Sequence, residues 1–152
     1  MMFRSLAASL FLLAASAASA AGATDTPAVE ASAGWIRVLP GSLPAGAYVT
    51  FRNHSSSALK IVGAESADYA EAMIHRSSTE GGMGRMEMVD SVDLPPEGTL
   101  AFTPGGYHVM LEKPKHAVKA GDRLTITFEL SDGKKLPATF VARPANATGP
   151  TD

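Results

Sequence analysis

The chain has 152 residues, a formal charge of −2 and no cysteine in a composition that is 45% hydrophobic and 18% charged. That length supports one domain with a core of its own. The lack of cysteine excludes disulfides, thiolate metal ligands, a cysteine nucleophile and a cysteine-linked lipid, and the near-neutral charge offers no field for nucleic acid or an anionic membrane surface.

Residues 1–20 carry an early positive charge at Arg4, an apolar run from Leu6 to Ala15 and the small-residue ending Ala18-Ser19-Ala20. This pattern predicts a secretory signal peptide cut after Ala20, with Ala21-Gly22-Ala23 as a second small-residue triplet that could be cut. The apolar run is well short of the roughly 20 residues that a spanning helix needs. Losing Arg4 with this segment takes the formal charge from −2 to −3. Residues 21–28 are small, polar and proline-containing, and they predict a flexible start to the mature chain.

From Val29 onward, short segments with alternating or β-branched apolar residues are separated by turn residues. Val29 to Leu39 contains Trp35, Ile36 and Val38 and ends at Pro40-Gly41. Ala47 to Arg52, Leu59 to Ala64 and Tyr69 to His75 follow as strands, with Asn53 to Ser57 as a polar turn. Arg76 to Gly82 reads as a hairpin loop, and Arg85 to Val89 as its return strand. Asp93 to Gly98 predicts a turn before a strand at Thr99 to Phe102, and Pro104-Gly-Gly106 predicts a hairpin turn before Tyr107 to Leu111. Lys119 to Asp122 is a turn, Leu124 to Leu130 a strand, Ser131-Asp-Gly133 a hairpin and Leu136 to Val141 the last strand. Arg143 to Asp152 reads as a disordered tail. Nine short strands without a long helical pattern predict an antiparallel sandwich or barrel over residues 29–142.

Five of the seven methionines, Met73, Met83, Met86, Met88 and Met110, fall within one stretch that also holds His75 and His108. On a strand, residues i and i+2 project from the same face, so Met73 with His75, Met86 with Met88, and His108 with Met110 each form a pair. Imidazole nitrogen with thioether sulfur is a soft donor set that suits Cu(I) and suits zinc, magnesium or calcium poorly. A thioether also stays neutral at any pH and cannot form a disulfide. Methionine is equally a common core filler, and an isolated histidine is most often a surface residue, so side-chain type leaves both readings open.

The spacing separates them. His75, ten residues, Met86, twenty-one residues, His108, one residue, Met110 resembles the H-x10-M-x21-H-x-M signature of the periplasmic copper chaperone family PCu(A)C. Ala33-Gly-Trp-Ile-Arg37, Ala45-Gly-Ala-Tyr-Val-Thr50, Gly82-Met-Gly-Arg-Met86 and Pro104-Gly-Gly-Tyr-His-Val-Met110 extend the resemblance over most of the mature chain. It implies a cupredoxin-like Greek-key barrel and one Cu(I) held by His75, Met86, His108 and Met110. It also implies a periplasmic monomer that delivers copper to an acceptor protein during assembly of the CuA site of cytochrome c oxidase. Where many members have a further methionine two positions before the one matching Met86, this chain has Gly84, with Met83 one step earlier. Met73, Met83 and Met88 are left as accessory candidates, and His54 and His116 lie outside the signature.

No Gly-x-Ser-x-Gly elbow or clustered carboxylate pair points to an enzyme, and a blue-copper electron-transfer site needs a cysteine. Two rival readings stand beside delivery. One is a periplasmic copper buffer or resistance protein without a dedicated acceptor; the other is a metal-free β-sandwich interaction module.

Overall fold

The protein is described here by a computed structural model covering residues 26–151. The signal peptide expected at residues 1–20 and the first part of the flexible 21–28 segment lie outside these residues. Ten strands make up the domain: β1 (Val29–Arg37), β2 (Ala45–Asn53), β3 (Leu59–Ser66), β4 (Tyr69–Ser78), β5 (Arg85–Met88), β6 (Val92–Leu94), β7 (Thr99–Phe102), β8 (Tyr107–Pro114), β9 (Arg123–Leu130) and β10 (Lys135–Arg143). The fold is all-β and cupredoxin-like.

Neighbouring strands run in the order β5-β4-β8-β2-β1-β10-β9-β3-β6, and β7 pairs with β2. The β1–β10 pair is parallel, whereas the other pairs among the described residues are antiparallel. Strands β3 and β4 follow each other in the chain yet lie in different parts of this order, packing across the sandwich to close it. Alternation drives the inward face: Ala45, Ala47, Val49 and Phe51 of β2, Val109 and Leu111 of β8, and Leu124, Ile126, Phe128 and Leu130 of β9 are all buried. At the centre, the Phe51 ring meets Phe102 edge-on at 5.3 Å and Phe128 at 4.8 Å between centroids. Such edge-to-face pairs add to the gain from burying the rings.

One irregularity decides what faces outward. In β1, Ser32 pairs with Thr50 and Trp35 with Tyr48, so two residues of β1, Ala33 and Gly34, stand opposite one of β2. Ala33 takes up the extra residue with a left-handed φ of 53°. Such a bulge changes the parity of the strand. Before it Val29 points to the core; after it Ile36 does, and Trp35 and Arg37 are turned to the opposite face. A side chain at Gly34 would place its Cβ 2.5 Å from the Thr139 carbonyl oxygen, so the bulge requires glycine there.

Three expectations from sequence are corrected. Asp93 and Leu94 belong to the short strand β6, which pairs with Leu59–Ile61, rather than to the turn; the turn closes at Pro95–Gly98 through a Gly98 N–H to Pro95 C=O bond of 3.0 Å. Strands β7 and β8, expected as a hairpin, do not pair with each other. They lie end to end along β2, β7 against residues 49–52 and β8 against residues 45–47. The expected disordered tail begins with Arg143 in β10 and continues to a buried Ala147, whose carbonyl accepts bonds from Arg37 Nε at 3.0 Å and Nη2 at 2.8 Å. A segment poor in apolar residues is held there by two charge-assisted bonds together with the packing of Ala147 against Trp35 and Tyr48.

Candidate metal centre

The candidate ligands sit on the outward face of the β5-β4-β8-β2-β1 part of the sheet. Cross-strand pairing places His75 opposite His108, Met73 opposite Met110, Met88 opposite His75 and Met86 opposite Ser77. Gly46 pairs with Met110, and Trp35 and Arg37 extend the same face through their pairing with Tyr48 and Gly46. Val109, between His108 and Met110, points into the core and is fully buried. The period of two therefore anchors β8 by one face and presents its soft side chains on the other.

A cleft of about 460 Å³ opens on this face, lined among others by Met86, His108, Met110, Arg37, Tyr48 and Ala145. Met86, His108 and Met110 thus converge on one space, while His75 stands beside it, its ring centroid 5.8 Å from that of His108. His108 is only 4% exposed, whereas Met86 is 54% exposed. The centre consequently has a fixed inner imidazole and an accessible outer thioether. Met83 is exposed on the loop between β4 and β5 and is not among the residues lining the cleft. His54 pairs with Glu30 and His116 with Asp68, both away from the cleft.

The two histidines differ in which nitrogen is available. His108 Nδ1 lies 3.2 Å from the Gly106 carbonyl oxygen, which can only accept, so Nδ1 carries the proton and Nε2 keeps its lone pair. Fixing the tautomer through a backbone carbonyl is a common way of orienting a metal-binding imidazole. His75 Nδ1 is buried and has no hydrogen-bond partner. An orphaned buried nitrogen beside three soft donors fits a cation position, because coordination would replace the missing bond. Among the described residues, no group of three or more His, Cys, Asp or Glu side chains is placed to hold a metal.

Sequence reasoning missed the walls of the cleft. The Arg37 guanidinium stacks over Trp35 at 5.3 Å and Tyr48 at 5.6 Å, and the same group holds the Ala147 carbonyl. Ala145, three residues beyond the expected domain end at 142, is brought to the cleft by this clamp. A Cβ at Gly46 would approach the Tyr48 hydroxyl to 2.7 Å, so glycine lets the tyrosine fold across its own strand. The Trp-Ile-Arg alternation was a visible sign that Trp35 and Arg37 share a face, but the bulge that chooses the face was not.

Burial pushes the His108 imidazole below its ordinary pKa; its bond to Gly106 acts in the opposite direction, and nearby His75 adds to the lowering. As pH falls, the unfolded chain therefore takes up a proton at this position before the folded chain does. The stability linked to His108 is complete above the ordinary value of about 6.5 and is lost as pH drops below it toward the lowered folded value. Urea unfolding at a series of pH values is expected to show this decline, and His108→Gln to flatten it. An unchanged slope in the variant would assign the effect to another group.

Residues 29–142 match the model of the LpqE-like family, described as "Putative lipoprotein LpqE-like". The chain belongs to the LpqE-like family. A relative named "Putative lipoprotein Lxx21020", from Leifsonia xyli subsp. xyli (strain CTCB07), is 31% identical over 110 residues, covering 72% of this LpqE-like chain and 66% of the relative, just under two thirds of its length. Among solved structures, Cu(I)-DR1885 from Deinococcus radiodurans is 30% identical with a TM-score of 0.61, covering 86% of this chain and 85% of that one. The copper-bound PCuAC domain from PmoF2 superposes with a TM-score of 0.65 at 20% identity, over 78% of this chain and 94% of that domain, a likeness of fold. The LpqE-like chain thus bears out the resemblance to PCu(A)C proteins read from its sequence.

Proposed function

We propose that this protein is an exported, periplasmic copper chaperone that binds one Cu(I) through His75, Met86, His108 and Met110 and passes it to an acceptor protein. The observation that carries this reading is the convergence of Met86, His108 and Met110 on one cleft, with the orphaned His75 nitrogen beside it. It is supported by the likeness to a Cu(I)-loaded protein at 30% identity. His108, held by Gly106, is the ligand that stays put; Met86, more than half exposed, is the one an incoming acceptor displaces first. Neutral thioethers can be exchanged one at a time without a proton leaving or arriving. The chemistry is ligand exchange, with no step that requires a catalytic base.

Titrating the protein with Cu(I) against a competing chelator is expected to give one equivalent bound and a raised unfolding temperature, since a ligand selective for the folded state stabilises it. No binding and no shift would leave the metal-free interaction module as the reading. Delivery to the CuA site of cytochrome c oxidase is the finer part of the proposal. A deletion strain at limiting copper is expected to lose oxidase activity and regain it when copper is added. Normal oxidase activity with sensitivity only to excess copper would make the protein a buffer or resistance factor.

A further inference from the structure

Met73 and Met88 are unused by the four-ligand site, yet both lie on the same face as His75. Met88 is directly opposite His75 across the β4–β5 pair, and Met73 is two residues from His75 along β4. Directly opposed side chains on a sheet are about 5 Å apart at Cβ and diagonal ones about 7–8 Å apart at most, within reach of long side chains such as methionine. Met73 and Met88 also line a common cleft of about 340 Å³, which shares no lining residue with the cleft of Met86, His108 and Met110. A role as core filler does not account for Met88, which is 63% exposed on a four-residue edge strand.

We propose that His75, Met73 and Met88 form a second Cu(I) position, beside the first and toward the free edge of β5. This extends the four-ligand reading and rests on it. His75 belongs to both positions: the thioethers of Met73 and Met88 replace those of Met86 and Met110 one at a time, and the His108 nitrogen is released last, leaving copper on His75, Met73 and Met88. The ion stays Cu(I) throughout, one sulfur–copper bond forming as another breaks, with no electron or proton transferred. The edge strand gives an acceptor a place to take copper without entering the inner cleft.

The test compares the full chain with M73L/M88L, M86L/M110L and the quadruple variant, each titrated with Cu(I) under a competing chelator. Leucine keeps side-chain volume close to that of methionine, and circular dichroism checks the fold of each variant. M86L/M110L is expected to retain weakened Cu(I) binding, with the Met73 and Met88 methyl resonances moving on addition of Cu(I). The quadruple variant is expected to bind at least about tenfold more weakly still, the lower end of what loss of a supporting partner costs a metal site. If the quadruple variant binds as M86L/M110L does and those two methyls do not move, the second position is wrong while the four-ligand site stands. If the unmodified protein binds no Cu(I), both fall.

Discussion

Replacing Met86 and Met110 together with leucine is expected to lower Cu(I) affinity by at least about 100-fold, because losing a ligand costs more than the 10–100-fold typical of losing a group that merely supports one. Fold and solubility should be retained. Met86 is more than half exposed and lies on a strand whose four residues all face solvent, so it contributes little to the core. Met110 is on the outer face of β8, whose inner face is anchored by Val109 and Leu111. Leucine matches the size and apolar character of methionine and removes only the sulfur donor. A chelator competition at fixed pH reads the effect, with urea unfolding of the apo protein as the control. Equal affinity in variant and parent would remove these two sulfurs from the site.

The second large effect is on stability. Phe51→Ala is expected to destabilise the apo protein by about 3–5 kcal/mol, the usual cost of truncating a core phenylalanine. Phe51 is fully buried and makes edge-to-face contacts with both Phe102 and Phe128. It also belongs to β2, which pairs with β1, β7 and β8 and itself carries Gly46 and Tyr48 of the cleft. That loss is a large share of the roughly 5–15 kcal/mol by which such domains are stable. Cu(I) free at a hundred times its dissociation constant should restore about 2.7 kcal/mol. Urea unfolding with and without Cu(I) measures both quantities. A cost below about 1 kcal/mol would mean that the ring cluster relaxes around the missing side chain.

Much of the strand content was legible because a half-buried strand writes its two faces into the sequence as alternation. Val109 between His108 and Met110, and Ile74 between Met73 and His75, mark the core side of β8 and β4 as clearly in the sequence as in the structure. Strand β6 was not legible: three residues between Ser91 and Pro95 are too few for alternation to show. The tail was misread for another reason. Ala147 is held by the Arg37 side chain, more than a hundred residues away, and packs with Trp35 and Tyr48, and local composition carries no trace of such partners.

The sequence by itself determined the soft donor set, its spacing and which side chains share a face, because these follow from residue chemistry and from the two-residue period of a strand. Only the tertiary structure decided which strands lie side by side. It placed β7 against β2 instead of β8, paired β1 with β10 in parallel, and used the bulge at Ala33–Gly34 to bring Trp35 and Arg37 to the face that carries the cleft. It also set His75 beside the cleft of Met86, His108 and Met110, with Met88 across from it. Alternation fixes the side of a strand that a residue occupies, whereas its neighbours on that side depend on pairing between distant segments. That pairing is chosen by burial of the whole core at once.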